Sequence, residues 1–279
     1  MSYVLENEYL YLECIEAGGE IQHLINKQTQ EEIMYQGDQG WGGKNPTLFP
    51  MVGNTYTGSY VIDGKTYSMK NHGLIRYATL QGKQEKDRLI FSLDANDSTL
   101  KQYPFSFHYE IQYHLIKNQV KIQYRIENTG SKDMPFGFGL HPGFQLHDTF
   151  SSYFLSFDGN TNLEQLHMYE TPSYWEKVET KGWQLNRQDL EKYKTMIYRG
   201  LQSQTLTLMH KDEKVLRLHV SDYPFLAIWS SPTPSDLICI EPWWSHADYD
   251  PNTTDFYHRE GTKILKPNEA FCPSYTIEV

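Results

Sequence analysis

The 279-residue sequence has few cysteines, and their arrangement excludes a disulfide framework. Only Cys14, Cys239 and Cys272 are present, far apart and without a CxxC pair. An odd number of widely spaced cysteines is typical of reduced thiols, so we expect a cytoplasmic protein. The same spacing argues against a metal site built on cysteine.

The sequence also lacks long apolar runs. No stretch reaches the ~18 apolar residues that are needed to span a membrane. The first eight residues contain neither a basic segment nor an apolar one, so a signal peptide is not expected. We therefore predict no membrane partner.

Basic charge is scarce. There are 25 Lys and Arg against 35 Asp and Glu, which gives a net charge of −10. Nucleic-acid binding needs clustered basic side chains on the phosphates, so a nucleic-acid partner is not expected. A neutral small molecule suits this balance better, and 21 Tyr and 6 Trp supply flat faces that suit a sugar ring.

Helical periodicity is nearly absent, and alternation with period two dominates. Only residues 186–194 suggest a helix, while residues 29–35 are ambiguous between helix and strand. The segments that predict strands are 9–15, 88–94, 107–116, 119–127, 153–157, 204–209, 215–220, 225–229, 237–240 and 274–279. Many short strands predict an all-β sandwich or closed sheet system, with residues 1–279 as one domain.

Two long stretches, residues 37–60 and 230–259, show no sustained alternation. Loops of this length inside a domain are usually functional or disordered, and their aromatic content argues against disorder. We predict that they form the walls of a pocket.

Two histidines lie in unusual local sequences. His72 precedes Gly73, where the backbone can turn close to a ligand, although a plain turn histidine is the simpler interpretation. His141 follows a segment with Gly137 and Gly139, which weaken a strand unless something approaches it closely. The following proline ends the strand, which places the imidazole at a strand end near a sheet rim. The alternative is a buried histidine bonded to a backbone carbonyl.

Glu241 follows the apolar segment 237–240 and precedes Pro-Trp-Trp. Partial burial there would raise the pKa of its carboxyl group towards that of a useful base. A pairing with Arg76 would lower the pKa instead.

These residues belong to an ordered set of motifs that resembles the aldose 1-epimerase (galactose mutarotase) family, and within it the LacX-like branch. The likeness covers nearly the whole chain. It consists of the segments NPTLFPMVGN at 45–54, His72-Gly73 with Arg76, GLHPGF at 139–144, AIWS at 227–230 and IEPW at 240–243.

The resemblance implies a β-supersandwich fold and interconversion of the α and β anomers of a free sugar without cofactor or metal. By motif, Glu241 would be the general base, His141 the general acid, and His72 a supporting hydrogen-bond donor. The remaining candidates bind the substrate: Arg76, Asn54, Lys44, Trp229 and Trp243. Trp41 is a further candidate for the apolar wall, with core packing as the alternative.

The sequence also departs from the family pattern. Asn54 stands where mutarotases usually carry an arginine, and the segment 195–201 offers no acid for the sugar hydroxyls. These departures keep two alternatives open. One is a carbohydrate-binding or regulatory protein without turnover. The other is a sugar-phosphate mutarotase, which needs at least two cations at one pocket edge, from among Lys44, Arg76 and Arg199.

A metalloenzyme is a third alternative. His246, Asp248, Asp250 and His258 offer nitrogen and oxygen ligands within one irregular stretch. Turn and surface roles account for such residues equally well. The preferred hypothesis remains a metal-free enzyme that acts on a small-molecule sugar as a monomer or homodimer.

Overall fold

The computed structural model describes residues 1–37, 40–159, 162–202, 205–220, 222–233, 235–250 and 255–279. Strands dominate the described chain, which confirms the all-β prediction. Two α-helices are present in these residues, α1 (Asp97–Gln102) and α2 (Arg187–Tyr193). Three short 3-10 helices span Ile75–Tyr77, Phe150–Ser152 and Phe256–His258.

The strands are short and follow one another through turns. In the first half of the chain they are β1 (Ser2–Glu6), β2 (Leu10–Ile15), β3 (Ile21–Asn26), β4 (Glu31–Glu32), β5 (Thr47–Leu48), β6 (Tyr60–Ile62), β7 (Lys65–Tyr67), β8 (Gln81–Gln84), β9 (Arg88–Asp94), β10 (Phe107–Ile116), β11 (Gln119–Asn128), β12 (Met134–Phe136), β13 (Gly139–Leu140) and β14 (Gly143–Gln145). In the second half they are β15 (Tyr153–Phe157), β16 (Asn162–His167), β17 (Tyr174–Glu179), β18 (Gly182–Gln184), β19 (Thr195–Arg199), β20 (Thr205–His210), β21 (Glu213–His219), β22 (Phe225–Trp229), β23 (Leu237–Trp243), β24 (Lys263–Leu265), β25 (Ala270–Phe271) and β26 (Ser274–Glu278).

Two large antiparallel sheets organise the fold. The ten-stranded sheet has the order β18-β15-β20-β21-β26-β11-β10-β9-β8, with β25 also paired to β11. The eight-stranded sheet has the order β17-β16-β19-β22-β23-β13-β5, with β14 also paired to β23. A four-stranded sheet is formed by β1 to β4.

Alternation along the central strands produces one apolar face per sheet. On β10, Phe107, Tyr109, Ile111 and Tyr113 are buried, and the intervening residues are partly exposed. Side chains from both large sheets join one hydrophobic cluster, to which β23 contributes Ile238 and Ile240. Full burial of one such side chain contributes about 1.5–3 kcal/mol, so the alternating pattern fixes which face of each strand points inward.

The sequence identified seven of the ten strands of the ten-stranded sheet, but only β22 and β23 of the eight-stranded sheet. The predicted hairpin at 107–127 is β10 and β11, joined at the two residues 117–118. The ambiguous segment 29–35 contains β4 and no helix, and the predicted helix at 186–194 is α2. Residue 204, at the start of one predicted strand, lies outside the described residues.

The segment that carries Glu241 is longer than predicted. β23 continues through Pro242 to Trp243, so Glu241 lies inside the strand rather than after it. The neighbouring strand is interrupted at this point, because β13 ends at Leu140 and β14 begins at Gly143. A proline that cannot donate to the ladder is tolerated beside such a gap.

Candidate active site

Glu241 is buried on the pocket face of β23. It lies opposite Ala227 of β22 and shares its face with Cys239 and Trp243, two residues away on either side. Glu241 is only 1 % exposed, and its Oε2 atom has no hydrogen-bond partner. A carboxylate in this position faces the space above the sheet, while its sequence neighbours face the core.

His141 lies in the gap between β13 and β14, inside the eight-stranded sheet rather than at its outer rim. Its backbone N–H donates to the carbonyl of Pro46 at 3.1 Å. Its Nε2 atom is 3.4 Å from Oε2 of Glu241, and its buried Nδ1 atom has no partner. An imidazole and a carboxylate therefore lie side by side, and the buried atoms Nδ1 of His141 and Oε2 of Glu241 are available to a ligand.

Aromatic rings hold the His141 imidazole in place. Trp41 stacks on it with ring centroids 4.8 Å apart, and Trp229 meets it edge-on at 5.6 Å. A Cβ atom on Gly143 would lie 2.6 Å from the Trp41 ring, so this glycine allows the stack to form. The close approach expected at Gly139 is also present, since a Cβ there would lie 2.7 Å from Trp243.

His72 is the third titratable residue of the site, and its tautomer follows from its bonds. The Gly53 backbone N–H donates to the His72 ring atom Nδ1 at 3.0 Å, and the His72 backbone N–H donates to the Gly53 carbonyl at 2.9 Å. Nδ1 is thus an acceptor, which leaves the proton of the neutral ring on Nε2. The His72 and His141 rings meet edge to face at 5.4 Å.

The turn around His72 depends on left-handed backbone. His72 has φ +67° and Gly73 has φ +82°. A Cβ atom on Gly73 would lie 2.3 Å from the carbonyl oxygen of Phe49, so only glycine fits there. His72 is therefore a turn residue, as one interpretation of the sequence had it, and this turn is what brings its ring beside His141.

Burial shifts the pKa values of all three groups towards their neutral forms. Burial raises the pKa of Glu241 well above its ordinary value, and the Trp243 side chain and the Arg76 charge oppose the rise. Burial, then the nearby His72 and Arg76, lowers the pKa of His141. Burial, then Arg76, lowers the pKa of His72 to about 3. The sequence left two opposing effects on the pKa of Glu241 open, desolvation by burial and the charge of Arg76, and desolvation is the larger of the two.

A pocket of about 390 Å³ opens above these three residues. Its aromatic walls are Trp41, Tyr77, Trp229 and Trp243, and its polar side chains include Asn71, Arg76 and Thr195. The arrangement offers a carboxylate, an imidazole and an N–H donor to one small ligand between flat apolar faces. Such a set suits proton transfer at two neighbouring atoms of a bound molecule.

The whole chain also matches a known family. The aldose 1-epimerase family model matches residues 1–273. The chain belongs to the aldose 1-epimerase family. This finding confirms the resemblance that the ordered motifs indicated.

Relatives of this aldose 1-epimerase family member include LacX and solved mutarotase-like proteins. The plasmid-encoded protein LacX of Lactococcus lactis subsp. lactis is 24 % identical over 262 residues, which covers 87 % of each chain. A galactose mutarotase related enzyme from Lactobacillus acidophilus is 29 % identical, with a TM-score of 0.93 over 100 % of this chain and 97 % of its own. A galactose mutarotase-like protein from Lactobacillus casei is 26 % identical, with a TM-score of 0.92 over 100 % and 99 %. These neighbours confirm the galactose mutarotase-like β-supersandwich.

Six of the eight residues that the sequence proposed as catalytic or substrate-binding line the pocket: His72, Arg76, His141, Trp229, Glu241 and Trp243. The further candidate for the apolar wall, Trp41, lines it too. Lys44 and Asn54 are not among its lining residues. The Lys44 ammonium donates to the Gln22 carbonyl at 3.1 Å and to the Gln36 side chain at 2.8 Å. Asn54 is exposed, and its backbone carbonyl accepts from the Asp248 backbone N–H at 3.0 Å.

Arg76 is the one lysine or arginine among the described residues that line the pocket. It lies on the 3-10 helix after the His72 turn, and its guanidinium approaches the Tyr77 ring at 5.1 Å. Within the described residues it has no hydrogen-bond or ion-pair partner. Arg199, in contrast, is bound by Glu164 at 2.7 Å and Glu260 at 3.2 Å.

Sequence reasoning missed Asn71, Tyr77 and Thr195 as lining residues. Thr195 begins β19 directly opposite Trp229, and β19 was not predicted as a strand. The signal that could have located Thr195 is the short apolar segment directly after the predicted helix at 186–194. Asn71 and Tyr77 flank the predicted residues His72 and Arg76, and the Tyr77 hydroxyl donates to the Asn71 carbonyl at 3.1 Å.

The alternative metal cluster does not form a shared site. Asp248 is buried in an ion pair with Arg259 at 2.7 Å. His258 is 81 % exposed and contacts Asp255, whereas His246 is buried and lies 3.2 Å from Glu260. Among the residues that the structure describes, His246, Asp248, Asp250 and His258 do not bring three ligand atoms together at one point. The longest described helix has seven residues, too few to cross a membrane.

Proposed function

We propose that this protein interconverts the α and β anomers of a hexose or related sugar by general acid–base catalysis. The observation that carries the proposal is the buried pair of His141 Nε2 and Glu241 Oε2, 3.4 Å apart at the floor of a pocket. The C1 hydroxyl and the ring oxygen of a cyclic sugar are bonded to the same carbon. One base and one acid at this separation can therefore serve both oxygens at once.

In the proposed reaction the pair carries one proton through the cycle. Glu241 removes the proton of the C1 hydroxyl while protonated His141 donates its proton to the ring oxygen, and the C1–O bond of the ring breaks. The open-chain aldehyde rotates about C1–C2. Reclosure with the two proton transfers reversed gives the other anomer and restores the pair. Groups of this kind contribute about 10²–10⁴-fold each.

The surroundings support these roles. A buried carboxylate is a stronger base than one in water, because burial favours its protonated form. Trp41 stacks on the His141 ring and fixes its orientation, and burial keeps the pKa of His141 low, which makes its imidazolium form a strong proton donor. His72 presents Nε2–H as a fixed neutral donor towards the oxygen that His141 protonates, with Nδ1 held by Gly53.

The size and charge of the pocket favour a single neutral sugar. A volume of about 390 Å³ lies at the small end of small-molecule sites and suits a monosaccharide. A sugar phosphate would need several cations at one edge. Lys44 and Arg199 are engaged elsewhere, so Arg76 is the one lysine or arginine among the described lining residues.

We further propose that residues 1–279 act as one domain in the cytoplasm, as a monomer or homodimer. One hydrophobic cluster includes Leu5 near one end of the chain and Ile277 near the other, which supports a single unit. All three cysteines are free thiols, which suits a reducing compartment.

Anomer equilibration tests the proposal. Freshly dissolved α-anomers of a panel of aldoses and sugar phosphates are followed by polarimetry or NMR with and without protein, with heat-denatured protein as the control. We expect faster equilibration of at least one neutral aldose. Binding of a sugar by calorimetry without acceleration of any member of the panel would support the carbohydrate-binding alternative instead.

A further inference from the structure

A third potential ligand lies beside the acid–base pair. Cys239 is fully buried on β23, on the same strand face as Glu241 and two residues before it. Ligand atoms of His141, Cys239 and Glu241 all lie within 4.8 Å of one another. Across the ranges that the structure describes, this is the only group of three such side chains that converges in this way.

We propose that these three side chains form a binding site for a thiophilic divalent cation, with Zn²⁺ as the preferred ion. The proposal goes beyond anomer interconversion, for which the acid–base pair needs no metal. The sequence alone argues against a cysteine-based metal site, since its cysteines are widely spaced. The fold changes that conclusion by supplying the histidine from the gap between β13 and β14.

The geometry of the pair already matches one edge of a zinc site. With Zn–N and Zn–O bonds of ~2.0–2.1 Å in a tetrahedron, the nitrogen and oxygen ligands stand ~3.4 Å apart. The distance from His141 Nε2 to Glu241 Oε2 is 3.4 Å. In the same tetrahedron, a Zn–S bond of ~2.3 Å places the sulfur ~3.6 Å from the nitrogen and from the oxygen. Since the three ligand atoms lie within 4.8 Å of one another, the Cys239 sulfur has to move towards the other two by ~1.2 Å at most.

An unpartnered buried atom points to a ligand at this position. Oε2 of Glu241 has no hydrogen-bond partner, although the residue is only 1 % exposed. Leaving such an atom unpaired away from water is energetically unfavourable. A cation bound by Glu241 satisfies its oxygen, and the open pocket leaves room for water as the fourth ligand.

The donor set selects the ion. One sulfur, one imidazole nitrogen and one carboxylate oxygen suit Zn²⁺ or Co²⁺, whereas Mg²⁺ and Ca²⁺ prefer oxygen ligands. On binding, the thiol proton passes to the solvent, and thiolate and carboxylate together balance the two positive charges. The bound ion would occupy the proposed base and acid together, so metal binding and sugar turnover exclude each other.

Metal titration without sugar tests the site independently of the proposed function. The protein carries Cys272→Ser, because Cys272 is the exposed thiol. Co²⁺ is added and the near-ultraviolet thiolate-to-cobalt absorption is recorded, and Zn²⁺ binding is then measured by calorimetry. We expect one ion per chain, loss of the cobalt band on addition of Zn²⁺, and no binding of Mg²⁺ at the same concentration.

Two variants and a matched control decide the assignment. Cys239→Ser should abolish the cobalt band and weaken Zn²⁺ binding at least about tenfold. Cys14→Ser, which removes an equally buried thiol from β2, should keep both. Glu241→Gln should also weaken Zn²⁺ binding at least about tenfold, which covers the case in which Cys239→Ser does not fold by circular dichroism. No cobalt band in the parent protein, a band that survives Cys239→Ser, or an unchanged Zn²⁺ affinity in Glu241→Gln would overturn the proposal.

Discussion

At the scale of single residues, the contacts of each histidine decide what it can do. His23 and His108 lie against surface carboxylates, at 2.8 Å from Glu32 and from Asp94. His141 also lies beside a carboxylate, at the longer distance of 3.4 Å from Glu241, but here both side chains are buried. The same chemistry is therefore a surface contact in one place and a candidate catalytic pair in the other, because of burial.

Arg76 and Lys44 make a matched test of which cation contacts the sugar. Arg76→Met should raise KM for the active sugar about tenfold or more, because a guanidinium that lines the pocket is lost. Lys44→Met should leave KM within about twofold, since the Lys44 ammonium is bound to Gln22 and Gln36. Steady-state anomerisation kinetics measure both values. Equal effects of the two substitutions would contradict the placement.

The sequence identified both cations but had no means of choosing between them. Arg76 faces the pocket because the left-handed turn at His72 and Gly73 directs the following 3-10 helix there. The Lys44 ammonium does not face the pocket, because it donates to the side-chain amide of Gln36, 8 residues away in the sequence, and to the carbonyl of Gln22, 22 residues away. Such contacts belong to the tertiary structure and leave no local pattern.

At the scale of elements, strand alternation places the catalytic candidates. On β23, Cys239, Glu241 and Trp243 face the pocket side, and Ile238 and Ile240 face the main core. The strands that the sequence predicted are those with clear alternation, such as β10 and β11. It missed β17, an exposed edge strand with no buried residue, and α1, whose capping box pairs Asn96 with Thr99 in place of the usual Glu or Gln.

Close packing between β13 and β23 gives a prediction about stability. Gly139→Ala places a methyl group 2.7 Å from Trp243 and 2.9 Å from Val52. We expect a loss of about 1–3 kcal/mol in the free energy of unfolding, as overpacking usually costs. Gly42→Ala, with nothing within 4 Å of the new methyl group, is the control and should change it by less than about 0.5 kcal/mol. Urea unfolding measures both, and a Gly139→Ala protein as stable as the control would contradict the packing described.

At the scale of the whole molecule, the last strand ties the ten-stranded sheet together. β26 pairs with both β11 and β21. Its Glu278 accepts from Lys214 at 2.8 Å and from Gln119 at 3.1 Å, and lies 3.0 Å from His219. The hydrogen bond from Lys214 is the main reason that the pKa of Glu278 falls to about 2.

This shift predicts a pH-dependent contribution to stability. The folded pKa is below the ordinary value of 4.5, so the contribution is complete above pH 4.5 and is lost as the pH falls towards 2. At pH 7 Glu278→Gln should lower the free energy of unfolding by about 1–2 kcal/mol, after allowance for screening by water. The difference from the parent should vanish near pH 2 in urea titrations across this range. A difference that stays constant with pH would contradict the role of the carboxylate charge.

The molecule as a whole brings together three residues that are far apart in the sequence. Motif order alone associated His72, His141 and Glu241, and the fold places all three on one pocket. The pairing of Cys239 with them, and the exclusion of Asn54 from the lining, required the three-dimensional arrangement of β13, β14 and β23. Neither follows from residue type or spacing.

The most direct test of the proposed function is the anomerisation rate of Glu241→Gln. The substitution keeps the shape of the side chain and removes its basicity, so the rate should fall about 10²–10⁴-fold while circular dichroism and sugar binding stay close to the parent. Glu176→Gln, at a carboxylate that is 56 % exposed, is the control and should keep the parent rate. A Glu241→Gln protein that equilibrates the sugar as fast as the parent would contradict the assignment of Glu241 as the base.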